Sequence, residues 1–283
     1  MKKINYGIEL GRIITMIMIM ILHILKQGGL LNSLNILTVK GQSLIFLEYL
    51  AIIAVNVFGL ITGYVMVNGK YKPKRIIDLW LQVIFFSYLM LIVIFPFKHI
   101  NLKMIITSLL PTLFNEYWYF NSYLILFLFI PLLNKGIKAL TKNELFKVIV
   151  FMFIVLSVLS SLTGAENLYV NRGYSPLWLM YLYIIGAYIK LFFSENVQRN
   201  TARLIKYLSL TIVMVILHDA LNIGLMIIKG TSTQHWSFLR YSFPIILFMS
   251  VYFFVYLINL QFTDSSKKVI TFFSRHSFAA YLL

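Results

Sequence analysis

Arg12 and His23 carry side chains suited to group transfer, and both lie in the first apolar stretch of the chain. Arginine is a permanent cation whose planar fork matches phosphate. Neutral histidine can take a proton from a hydroxyl near pH 7. Eleven residues at 100° each make three full turns plus about 20°, so the two face one side of a helix, about 16 Å apart along its axis. Charged groups are costly in hydrocarbon, so this pair asks for an explanation. The bland alternative is that Arg12 snorkels to the interface while His23 bonds a neighbouring helix.

Other polar residues are placed for chemistry with weaker support. Lys72, Lys74 and Arg75 form a basic stretch able to hold phosphates by charge-assisted hydrogen bonds, although such a stretch also marks the cytoplasmic side of a membrane protein. His218 and Asp219, with Asn222, interrupt a later apolar run. Adjacent helical residues point about 100° apart, so they cannot share a face; cavity lining or an interhelical hydrogen bond is expected, with a substrate role as the alternative. Glu116 and Trp118 lie at a run's outer boundary, where a ring could stack on a sugar or simply join an interfacial aromatic belt. Glu166, Arg172 and His235 are candidates for acceptor contact by loop position alone. Cysteine is absent, which excludes disulfides, thiolate metal sites and a cysteine acyl-enzyme. No metal is expected.

The elements that must position these groups are set by composition. Of 283 residues, 60% are hydrophobic and 12% charged, against about 25% charged in an ordinary soluble domain. Mean hydropathy is +0.85. That polar surface is too small to clothe a soluble fold, so the chain is an integral membrane protein. Apolar runs cover residues 11–27, 44–67, 76–97, 117–133, 148–162, 176–193, 207–228, 241–260 and 269–283. They do not alternate polar and apolar residues, so they are helices rather than barrel strands. The expected architecture is one all-α polytopic domain over residues 1–283, with nine to ten transmembrane helices. A short segment, 104–114, lies at the outer interface or re-enters.

Net charge is +16, and the basic residues concentrate in the segments that are cytoplasmic if Met1 is cytoplasmic. Membrane topology and anionic lipid headgroups account for the charge, so no nucleic-acid partner is expected. The last run holds only 15 residues including Arg275 and His276, so the sequence is expected to stop inside its final helix.

The Arg12–His23 spacing, with Tyr6-Gly7-Ile8-Glu9-Leu10-Gly11 before it, resembles the first helix of the acyltransferase-3 superfamily of integral membrane O-acyltransferases. Asn56-Val57-Phe58-Gly59-Leu60-Ile61-Thr62-Gly63-Tyr64 is similar to that family's second-helix ending, with Thr62 in place of a usual serine. The stretch 70–75 leading into Leu79-Trp80 resembles its basic loop. Trp118-Tyr119-Phe120 with Tyr123, Pro131 and Asn134, and Ser277-Phe278-Ala279-Ala280-Tyr281, complete the order.

The resemblance implies transfer of an acyl group, usually acetyl from acetyl-CoA, to a hydroxyl of an envelope polysaccharide or lipid-linked glycan at a bacterial plasma membrane. It assigns Arg12 and His23 to catalysis and Arg12, Lys72, Lys74 and Arg75 to the acyl-CoA donor. Two other classes compete: a transporter or flippase of lipid-linked glycans, and a polysaccharide polymerase. Neither paired broken helices nor a large outer loop is apparent. Asn56, Gly59 and Gly63 form a small-residue stripe expected to pack closely against another helix.

Overall fold

In the computed structural model, the described residues are 4–31, 34–96, 101–109, 112, 114, 117–163, 167–193, 199–230 and 236–282, without the side chains of residues 167 and 275–282. Among them the secondary structure is helical throughout: α1 (Tyr6–Gln27), α2 (Val39–Ala51), α3 (Ala54–Met66), α4 (Lys74–Ile94), α5 (Leu102–Leu109), α6 (Trp118–Ala139), α7 (Lys142–Phe153), α8 (Ser160–Thr163), α9 (Pro176–Phe192), α10 (Asn200–Lys229), α11 (Pro244–Ile258) and α12 (Asp264–Leu282).

Among the described residues, six continuous helical segments are long and apolar enough to cross a membrane: α1, α2 with α3, α4, α6, α7 through α8, and α10. The expectation of nine to ten spans is met only to that extent. α9 and α11 are apolar but shorter, at 17 and 15 residues. α12 is not among the six, because Asp264, Lys267 and Lys268 lie in its first turns. It begins at Asp264 rather than near Val269: the Thr263 hydroxyl accepts from the Ser266 N–H at 3.4 Å, an N-terminal cap placed ahead of the apolar run.

Caps elsewhere explain where helices begin. Asn5 accepts from the Ile8 N–H at 3.2 Å to start α1, and Thr38 accepts from Gly41 at 3.1 Å to start α2. Thr141 and Glu144 form a reciprocal capping box at α7. Ser175 caps α9, with Pro176 at its first position where the missing N–H costs nothing. Between α7 and α8, residues Ile154–Leu159 widen into a π-helical turn.

The core is built on α3 against α9. A Cβ on Gly63 would lie 2.0 Å from the Tyr183 carbonyl oxygen, and one on Gly186 would lie 2.1 Å from that of Leu60. Leu182 fills the space beside Gly59. The expected small-residue stripe is therefore a close-packing seam. Asn56 completes it: the buried Trp178 indole donates to its Oδ1 at 2.9 Å, and its Nδ2 donates to the Tyr241 carbonyl at 2.9 Å. α6 packs on α9, with the Tyr183 hydroxyl donating to Asn134 at 2.7 Å. α1 lies along α12, and α11 bridges α3 and α10. α4 and α10 keep most of their surface outward, as lipid-facing helices do.

Candidate active site

A cavity of about 350 Å³ opens between α1, α3, α4, α6 and α12. Its walls are mostly apolar, with Met16, Ile19, Phe58 and Ile61 among them, and two guanidinium groups enter it. Arg12 comes from the second turn of α1 and Arg75 from the first turn of α4. The Arg12 Nη1 donates to both Glu9 oxygens, at 2.9 and 3.0 Å, an i,i+3 pair that fixes the fork along the helix. Arg75 reaches back to the Met66 sulfur at 3.5 Å, a weak acceptor that leaves its donors available. Tyr123 of α6 lines the same space, within electrostatic reach of both arginines. Thr62, with its hydroxyl donating to the Phe58 carbonyl at 2.9 Å, and Ser274 complete the polar lining with Tyr119.

The cavity runs through the depth of the bundle. Asn134, late in α6, donates to the Met66 carbonyl at 3.1 Å, beside Arg75. The start of α6 therefore stands toward the opposite end, about 24 Å from Asn134 along the helix. Tyr119 and Phe120 line the cavity from that end. Arg12, Met16 and Ile19 follow one stripe of α1, and His23 is the next position on it, one turn beyond Ile19. His23 is exposed and is not part of the cavity lining.

The other sequence candidates separate from this cavity. Lys72, Lys74 and Arg75 are all exposed, but of this stretch Arg75 alone lines the cavity. Trp118 is packed at the far end, 4.4 Å from the Tyr174 ring and stacked at 5.9 Å on Tyr241. His218 is fully buried on α10: its Nδ1 is 3.3 Å from the Tyr49 hydroxyl and its Nε2 is 3.2 Å from Asn222 Nδ2. An amide nitrogen can only donate, so Nε2 accepts and Nδ1 carries the proton. Trp236 covers the ring at 4.5 Å. This is the interhelical hydrogen bond allowed for above, closed to a substrate in this arrangement. Asp219 turns elsewhere on the helix, and among the described residues its buried Oδ1 has no hydrogen-bond partner. Glu116, Glu166 and His235 lie outside the described residues, as do the side chains of Arg275 and His276.

Tyr123, Glu9 and Ser274 were not legible as site residues. Glu9 carries a usable signal, since a carboxylate three residues before an arginine shares its helix face. Ser274 carries none, because it arrives from the far end of the chain. Among the described residues no group of acidic, histidine or cysteine side chains is arranged to hold a metal.

No curated protein and no solved structure matches this chain. The sequence model of the acyltransferase-3 family, described as an acyltransferase domain, matches residues 5–283. With that match across nearly its whole length, the chain belongs to the acyltransferase-3 family of membrane acyltransferases.

Proposed function

We propose that the protein is a membrane O-acyltransferase that moves an acetyl group from acetyl-CoA to a hydroxyl of a cell-envelope polysaccharide or lipid-linked glycan. The observation that carries this reading is the meeting of Arg12 and Arg75, from separate helices, in one deep apolar cavity. Guanidinium forks are the side chains best matched to phosphate oxygens. The apolar walls beyond them suit a narrow pantetheine-like arm and keep water from the thioester. With the N-terminus cytoplasmic, donor enters at the Arg75 end and its acyl group is delivered toward the stripe that ends at His23.

In the transfer step, His23 takes the proton of the acceptor hydroxyl as its oxygen attacks the thioester carbonyl carbon. The new C–O bond forms, the C–S bond breaks, and the CoA thiolate leaves with a proton returned from the imidazolium. His23 attacking the thioester first, to give an acyl-imidazole, is the covalent variant of the same chemistry. Arg12 and Arg75 bind donor phosphates and take no proton.

The test measures alkali-labile acetate on envelope glycans from cells producing the native protein, His23→Ala or neither. Acetate that appears only with intact His23, at matched membrane levels, is the expected result. Equal acetate with native protein and His23→Ala would remove His23 from the chemistry. No acetate above background with inserted native protein and its own acceptor would remove the acetyl-transfer reading.

A further inference from the structure

A second space, of about 380 Å³, lies between α4 and α5 at the end of the bundle away from Arg75, and the transfer step above does not use it. The Asn101 side chain accepts from the Met104 N–H at 2.9 Å and starts α5, which packs along α4. Leu102, Ile105, Ile106 and Leu109 recur at helical spacing and stay exposed, so this face of α5 meets lipid. Met104, Thr107 and Ser108 are half-buried and turn to the cleft instead. A short helix with its faces divided in this way lies in the membrane interface, and the cleft lies beside the lipid.

One stripe of α4 joins this cleft to the donor cavity. Leu79, Val83, Ser87 and Leu91 follow one another at four-residue steps. Leu79 lines the donor cavity, whereas Ser87 and Leu91 line the cleft. Val83, between them, is fully buried against Phe120, and Leu79, Phe86 and Tyr117 pack around the pair. Phe120 lines the donor cavity on one side of this layer, and Tyr117, one turn earlier on α6, lines the cleft on the other. The two spaces therefore lie end to end, parted by a layer of side chains. Depth along the helices agrees. Ser87 is twelve residues beyond Arg75, about 18 Å along α4, and His23 is eleven beyond Arg12, about 16 Å along α1. Since both arginines enter one cavity, the cleft begins close to the level of His23.

The lining differs from that of the donor cavity. Ser87, Thr107, Ser108 and Tyr117 bring four hydroxyls between apolar walls that include Met90 and Met104, and the described lining carries no charge. Hydroxyls both donate and accept, as those of a sugar do. The Thr107 hydroxyl donates to the Met104 carbonyl at 3.0 Å and keeps its oxygen as an acceptor. Methionine side chains adapt to an irregular apolar surface. We propose that the α4–α5 cleft binds a sugar of an uncharged glycan or glycolipid, holding the acceptor hydroxyl across the Val83–Phe120 layer from the acyl-CoA. The acceptor role rests on the acyl-transfer reading; the sugar site itself does not.

The chain has no cysteine, so a single introduced thiol reports on the cleft. Ser87→Cys and Ser108→Cys place one inside it, and Ile106→Cys places one on the lipid face. Each full-length variant, in phosphatidylcholine nanodiscs, is labelled with N-ethylmaleimide alone, with maltose, or with glucosyl diacylglycerol in the bilayer. Only an unoccupied cleft reacts, so at about ten times the probe's Kd the two cleft thiols should label roughly tenfold more slowly, and the Ile106→Cys thiol should not. Protection by maltose assigns the site to a water-soluble glycan, and protection by the glycolipid alone assigns it to a membrane-tethered one; either result keeps the site. Protection by neither sugar, or equal slowing at Ile106→Cys, overturns it. A second variant, Ser108→Phe, fills the cleft and should lower kcat for acetyl transfer to glycan in producing membranes roughly tenfold or more, with the KM for acetyl-CoA unchanged. A KM for acetyl-CoA that rises as well puts the cleft in the donor path and overturns the acceptor role. No transfer by native membranes, with the cleft thiols still protected, overturns the acyl-transfer reading and leaves the sugar site standing.

Discussion

Arg12 on α1 and Arg75 on α4 line one cavity, yet their surroundings differ: Glu9 grips Arg12 with both oxygens, whereas among the described residues Arg75 forms no ion pair and donates to a thioether. The first is held in position by an ion pair, and the second keeps its hydrogen-bonding capacity for a ligand. That asymmetry leads to the first prediction.

Arg75→Gln is expected to raise the KM for acyl-CoA about tenfold or more while the folded protein persists, since one charge-assisted hydrogen bond is worth about 1.5–3 kcal/mol. Lys72→Gln and Lys74→Gln, both exposed and outside the cavity, should each change KM less than about twofold. Donor titrations on membranes with matched protein levels separate these outcomes. Equal effects at all three positions would mean that the basic stretch acts only as a diffuse charge.

Gly63→Ala should be strongly destabilising, because the added methyl would lie 2.0 Å from a backbone oxygen of α9 that no rotamer change can move. A loss of at least about 1–3 kcal/mol is expected from overpacking. Gly136→Ala meets nothing within 4 Å and should be neutral or gain up to about 1 kcal/mol from helix propensity. Thermal unfolding in detergent compares the two.

Asn56→Ala removes the acceptor of the Trp178 indole and the donor to the Tyr241 carbonyl in one change. Each stranded group costs about 1–3 kcal/mol, so the variant should melt well below the native protein. Its tryptophan emission should shift as well. Asn56→Gln, too long for the same geometry, should not restore either property.

His218→Ala should lower stability by opening a void beside Tyr49 and Trp236 and leaving the tyrosine hydroxyl without its partner. The kcat of the protein that remains folded should match the native value, because the imidazole is sealed from the cavity. Loss of kcat with unchanged melting would instead give His218 a catalytic part.

The helical class and the first arginine were legible because hydropathy and 3.6-residue spacing are local. Helix limits were less so. The run at 207–228 marks hydrocarbon, but α10 starts at Asn200, and Arg203 and Lys206 remain helical where the helix continues past the apolar stretch. The run at 44–67 is one membrane-crossing segment, as it reads, although the division into α2 and α3 at Ile52 and Ile53, where the backbone stays right-handed, has no proline or glycine to signal it. The pairing of α3 with α9 left a trace in the Asn56, Gly59 and Gly63 spacing, but not the identity of its partner. Tyr123 and Ser274 reach the cavity only through tertiary packing, which a single sequence does not encode by position.

The bonds of Asn56 also order events during synthesis. Its indole partner is 122 residues further along the chain, on the order of ten seconds of translation at ordinary rates. For that interval a carboxamide destined for full burial must remain hydrated or paired with temporary neighbours in the translocation machinery. The α3–α9 seam therefore closes after insertion rather than with it. A ribosome stalled before residue 178 would hold a nascent chain in which this buried carboxamide is still without its indole contact.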